Sequence, residues 1–81
     1  MNVQHRAENS EFFISRNDQE AVLKYQLLSG DEVEFLSTYV PFALRGTGMA
    51  EALVISGLSW AEKNEYKVCS RCWYVDKFLS T

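Results

Sequence analysis

The residues best suited to chemistry are Arg45, Gly46, Thr47 and Gly48, set between a β-prone run and an apolar helical pattern. A strand that ends in a glycine loop and opens a helix leaves backbone N–H groups unpaired and aimed outward. Such a place suits an anion, a phosphate above all. Glycines let the backbone approach the ligand, and the helix dipole adds about half a positive charge. Arg45 adds a charge-assisted contact. The plain alternative is a glycine turn that only reverses the chain. Two known phosphate loops are excluded. No Gly-Lys-Ser/Thr follows Gly48, so this is not a Walker A loop. Gly46 and Gly48 fit the start of a dinucleotide fingerprint, but Glu51 stands where its third glycine belongs.

Cys69 and Cys72 form a C-x-x-C where a strand passes into a helical pattern. A thioredoxin-like motif follows an early strand, with more sheet to come, and here the chain is nearly finished. Zinc fits poorly, because two cysteines and the distant His5 do not make four ligands. A single activated thiol survives both objections. Cys72 sits at a helix start, where the dipole lowers a thiol pKa, although a free cysteine is more often structural. Cys69, inside the strand, reads as packing. Tyr74 carries a hydroxyl able to act as an acid and is the second catalytic candidate. Trp73 reads as a core or rim aromatic. The acidic group Asp31, Glu32 and Glu34 reads as a solvated turn and strand edge, and the lone His5 as part of a frayed terminus.

The elements that position these residues follow from periodicity. Glu11–Ser15 is short, apolar and β-prone. Glu20–Leu28 alternates, with Ala21, Leu23, Tyr25 and Leu27 on one face. Ser29, Gly30 and Asp31 make a tight connection to Glu32–Val40, which places Val33, Phe35 and Tyr39 on one face. Pro41 stops the ladder because it has no N–H to donate. Met49, Leu53, Gly57, Trp60 and Ala61 recur on one face of a helix spanning Met49–Asn64. Gly57 in its middle costs about 1 kcal/mol against alanine and permits close approach to a sheet. Tyr66–Cys69 is a fourth strand, and Trp73–Ser80 a short terminal helix. The spacing predicts an α+β fold of order βββαβα. An antiparallel meander carries one parallel, right-handed crossover, with the main helix packed on the sheet.

With 81 residues the chain makes one small domain, 1–81, with residues 1–10 frayed. A hydrophobic fraction of 47% is ample for one core. The net charge of −3 argues against a general nucleic-acid binder, which needs a basic face. Met1–Ser10 holds no apolar signal-peptide region, and no run approaches the roughly 18 apolar residues of a membrane span. Two cysteines without a secretory signal point to free thiols and a cytoplasmic location.

The loop and the cysteine together carry a resemblance. T-Y-V-P-F-A-L-R-G-T-G-M-A-E-A-L-V (Thr38–Val54), then K-V-C-S-R-C-W-Y-V (Lys67–Val75), with A-V-L-K-Y (Ala21–Tyr25) as a secondary marker, resembles the minimal members of the GNAT superfamily of N-acetyltransferases. The resemblance runs from Phe12 to Phe78. It implies a GNAT-like mixed sheet and transfer of acetyl from acetyl-CoA, the cosubstrate, to a primary amine, without a metal. Arg45, Gly46, Thr47, Gly48, Met49 and Ala50 match the R/Q-x-x-G-x-G/A loop that binds the CoA pyrophosphate. Tyr39 and Val40 match the strand end that pairs with pantetheine and faces the thioester carbonyl. Cys72 matches a cysteine placed near the acetyl group. Ser70 stands where the subfamily usually has proline, Ser37 where histidine is frequent, and Cys69 is an addition. Larger members carry helices between the first strands that build the acceptor pocket; this chain has only Arg16–Gln19 there, so an open acceptor side is expected. The implied partners are acetyl-CoA and an amine, with no nucleic acid or membrane, in a monomer or weak homodimer. The alternative is a non-catalytic acyl-CoA-binding or partner-binding module on the same scaffold.

Overall fold

A computed structural model describes residues 2–28 and 30–70, with Ser70 described by its backbone alone. Its strands are β1 (Gln4–Arg6), β2 (Glu11–Arg16), β3 (Gln19–Leu27), β4 (Glu32–Tyr39) and β5 (Lys67–Ser70). Helix α1 (Met49–Lys63) connects β4 to β5. They form one sheet in the order β1-β2-β3-β4-β5, antiparallel except for the parallel pair β4 and β5. This is the expected meander with one parallel crossover. The terminal helix expected over Trp73–Ser80 lies outside the described residues.

Alternation builds the core. Phe12 and Ile14 of β2, Ala21, Leu23 and Tyr25 of β3, and Val33 and Phe35 of β4 are buried in one cluster with Met49, Leu53, Val54 and Ala61 of α1. Burying each large aliphatic or aromatic side chain contributes roughly 1.5–3 kcal/mol. Leu27, expected on this face, lies at the strand end and is 53% exposed. Gly57 fixes how closely the helix approaches. A Cβ there would stand 2.8 Å from Leu23 Cδ2 and 3.0 Å from Phe35 Cε1, so the missing side chain is what lets α1 lie on those two residues.

The helix ends in a Schellman arrangement. Tyr66 N–H donates to Ala61 O at 2.8 Å and Glu65 N–H to Glu62 O at 3.0 Å, with Glu65 left-handed at φ 59°. Tyr66 therefore belongs to the cap rather than to β5. Lys67 N–H then donates to Asp31 O at 2.7 Å and sets the parallel register.

Beyond Leu27 and Tyr66, two further sequence expectations are corrected. The first concerns Tyr39. Lys24 pairs with Ser37 but Tyr25 pairs with Phe35, so Leu36 is an extra residue, a β-bulge. Beyond it the alternation shifts by one. Thr38, opposite buried Leu23, joins the helix side, while Tyr39 turns to the other face and is 58% exposed. The second concerns the N-terminal segment, expected to be frayed. Gln4–Arg6 pairs with β2 as an edge strand. Three polar residues give no alternation to read; what holds them is contact with residues far along the chain. The His5 ring stacks on Phe12 with centroids 4.2 Å apart and meets Trp60 edge-on at 5.1 Å. Its Nε2 lies 2.6 Å from Tyr25 Oη. On the opposite face, Arg6 Nη2 donates to both carboxylate oxygens of Glu20 at 3.1 Å. The same guanidinium covers the Phe13 ring, and its Nε pairs ionically with Glu11 at 3.3 Å without hydrogen-bond alignment.

Two tests follow from this packing. Gly57→Val drives branched methyls into Leu23 and Phe35 and lowers unfolding stability by about 1–3 kcal/mol, read from the denaturation midpoint at unchanged slope. Desolvation by its ring neighbours lowers the His5 pKa from its ordinary 6.5, against an opposing pull from Glu8. The unfolded chain then binds the proton more readily than the folded one. The contribution of neutral His5 is whole above 6.5 and is lost as pH falls through that value toward the lower folded pKa. Between about pH 7.5 and about pH 5.5, urea denaturation shows a smaller loss of stability for His5→Phe than for the wild type.

Candidate functional site

Strand β4 runs into a short, tightly turned connection. Pro41 is extended (φ −54°, ψ 145°) and opens a 3-10 turn over Phe42–Leu44, closed by Leu44 N–H to Pro41 O at 2.9 Å. The chain then passes through Arg45 in an extended conformation and two left-handed glycines, Gly46 at φ 80° and Gly48 at φ 82°. Glycine takes this conformation without strain, whereas a side chain there costs roughly 1–2 kcal/mol. Two side chains brace the loop. Arg45 Nε donates to Val40 O at 3.1 Å, tying the loop back to the strand end. Thr47 Oγ1 donates to Leu44 O at 2.6 Å.

Gly48 is the N-cap of α1 and no side chain caps the helix. The first bond into the helix from the cap is Ala52 N–H to Gly48 O at 3.0 Å. The N–H groups of Met49, Ala50 and Glu51 precede it and have no carbonyl within the helix to donate to. Together with the dipole they make a local positive field.

Strand end, loop and first helical turn line an open cavity of about 500 Å³, a size suited to a small-molecule ligand. Of the residues picked out in the sequence, Tyr39, Val40, Arg45, Gly46, Gly48, Met49 and Ala50 all line it. Thr47 does not; its hydroxyl is turned to Leu44 O. The cavity adds Thr38, Leu44 and Glu51. Thr38 could not be read in advance, because the bulge at Leu36 decides which face it occupies. Leu44 and Met49, 3% and 1% exposed, join the cavity wall to the core. Phe42, 85% exposed, stands beside the loop with the Arg45 guanidinium 5.8 Å from its ring.

The pairing of β4 with β5 runs from Glu32 opposite Lys67 to Phe35 opposite Ser70, the last described residue. The cavity therefore lies beyond the described ladder, at the end of β4 where the bulge has re-aimed the strand. Cys72 and Tyr74, the two catalytic candidates, lie outside the described residues. Cys69 is on β5 opposite Glu34, with Sγ 3.8 Å from Glu32 Oε2, at the other end of β4 from the cavity. The acidic group is there too, and Gln26 Nε2 donates to Glu34 Oε1 at 2.6 Å. Among the described residues no group of three or more His, Cys, Asp or Glu is arranged to hold a metal. No described helix is long and apolar enough to cross a membrane.

This architecture, a parallel β4–β5 crossover with a glycine loop feeding the helix N-terminus, agrees with what the chain is similar to. Residues 11–81 match the family described as GCN5-related N-acetyl-transferase. Protein NATD1 of Xenopus tropicalis is 29% identical over 79 residues, covering 95% of this chain and 72% of that protein. Protein NATD1 of Danio rerio is 30% identical over 81 residues, covering 98% and 74% respectively. Protein NATD1 of Homo sapiens is 30% identical over 79 residues, covering 95% and 70%. With the greater part of its length matched and the mixed sheet in place, the chain belongs to the GCN5-related N-acetyltransferase (GNAT) family.

Proposed function

We propose that this protein is an acetyl-CoA-dependent N-acetyltransferase acting on a primary amine in the cytoplasm, as a monomer or weak homodimer. One observation carries the reading. In a chain of this family, the end of β4 and an uncapped helix N-terminus meet across the Arg45–Gly48 loop around a cavity of about 500 Å³. In this reading the CoA pyrophosphate lies against the loop N–H groups of Gly46 to Ala50. Thr47 takes part through its backbone, its hydroxyl being engaged with Leu44 O. Pantetheine runs along Tyr39 and Val40, and their N–H groups stabilise the developing oxyanion.

The amine reaches the carbonyl as the free base, so a proton must leave it first; a lysine-like amine has a pKa of about 10.4. Cys72 enters in one of two ways. As a base, its thiolate takes the amine proton while nitrogen attacks the thioester carbon, and CoA leaves as the thiolate. As an acetyl carrier, the Cys72 thiolate attacks first and releases CoA; the amine then attacks the acetyl-cysteine and restores the thiol. In this reading Tyr74 is the acid, and it gives its proton to the CoA thiolate as that group leaves. The β2–β3 connection supports an open acceptor side. It is a two-residue turn of Asn17 and Asp18, left-handed at φ 52° and 62°, and carries no acceptor-covering helix. The same bareness favours a second reading, an acyl-CoA-binding or partner-binding module without turnover.

Release of CoA thiol from acetyl-CoA over a panel of polyamines, lysine peptides and small amines tests the enzyme. The expected result is amine-dependent release that Cys72→Ala reduces by about 100-fold or more, as loss of a general base or nucleophile does. Acetyl-CoA binding with no release across the panel supports the module instead. Ping-pong kinetics identify Cys72 as carrier, and ternary-complex kinetics identify it as base. For the loop, Arg45→Met removes both the charge and the bond to Val40 O and weakens CoA binding by about tenfold, measured by calorimetry. Arg45→Gln keeps a donor for that carbonyl and loses less.

A further inference from the structure

The cavity contains a charge that works against a phosphate ligand. Glu51 lines it, exposed, in the first turn of α1. Arg45 is the one cation among the lining residues, and its Nε is already engaged with Val40 O. A full negative charge therefore stands against that single positive one. The helix field cannot restore the balance alone, since it amounts to about half a charge. That field also attracts the Glu51 carboxylate, which stabilises the helix start while drawing on the attraction otherwise offered to a ligand anion. No described hydrogen bond or ion pair neutralises Glu51.

We propose that Glu51 is a specificity-determining residue that grades affinity at this cavity by ligand charge, disfavouring the more phosphorylated form of a pantetheine-containing ligand. The proposal rests on the CoA reading above. Through it the loop makes geometric contact with a pyrophosphate while Glu51 holds total affinity down. A ligand carrying an additional ribose phosphate meets more repulsion than one carrying the pyrophosphate alone.

The test measures binding of CoA, dephospho-CoA and pantetheine to the full chain and to Glu51→Gln and Glu51→Ala, at low and high salt. The expected result is that both variants bind CoA about 3–10-fold more tightly at low salt, as removal of one like charge near a surface site does. The gain is smaller for dephospho-CoA, absent for pantetheine, and shrinks as salt rises. Equal changes for all three ligands, or unchanged or weaker CoA binding in the variants, overturns the role of Glu51 alone. Wild type that fails to bind CoA at all overturns the CoA reading, and the proposal with it.

Discussion

The contact between Gly57 and the pair Leu23 and Phe35 is the constraint on which the rest depends. Absence of a Cβ lets α1 lie directly on the centre of the sheet, where any larger residue would hold it away. Once the helix sits at that distance, Met49, Leu53, Val54 and Ala61 reach the inward residues of β2, β3 and β4. Its two ends are then fixed as well. The C-terminal end carries Trp60 into the aromatic group of His5, Phe12, Tyr25 and Tyr66, which anchors the edge strand β1. The N-terminal end is held beside the last residues of β4, and the cavity is the space between them.

The second constraint is the bulge at Leu36. Without it, strict alternation would carry Tyr39 into the helix-side core and Thr38 away from it. With it, the strand changes face just before the cavity, so its last two residues, Thr38 and Tyr39, line the cavity while its first four stay in the ladder with β5. Pro41 then ends the strand, and two left-handed glycines turn the chain into the helix without a capping side chain. A serine, threonine or aspartate at the cap would satisfy one of the free N–H groups from within. Glycine leaves them without a capping side chain. The same turn bears Glu51, so backbone geometry favours an anion while the side-chain charge tempers it.

Similarity to Protein NATD1 of several vertebrates, at about 30% identity over nearly the whole of this chain, agrees with the local geometry. The connection between β2 and β3 is reduced to Asn17 and Asp18, so that hairpin carries no helix.

The sequence by itself determined the meander of β2, β3 and β4, the span of α1, the parallel crossover and seven of the ten residues that line the cavity. These are local matters: alternation, helical spacing, proline and glycine act over a few residues, and each can be read where it stands. Tertiary structure alone decided the remainder. It placed Gln4–Arg6 in the sheet through partners more than five residues away, Phe12, Tyr25, Trp60 and Glu20. It moved Tyr39 to the opposite face through a mismatch between two strands, which neither strand shows alone. It brought Thr38, Leu44 and Glu51 into the cavity wall, while the Thr47 side chain is turned away by a local bond to Leu44 O, three residues back. Pairing register, and the face a strand residue takes beyond a bulge, arise only when separate segments meet, and no single stretch of residues contains them.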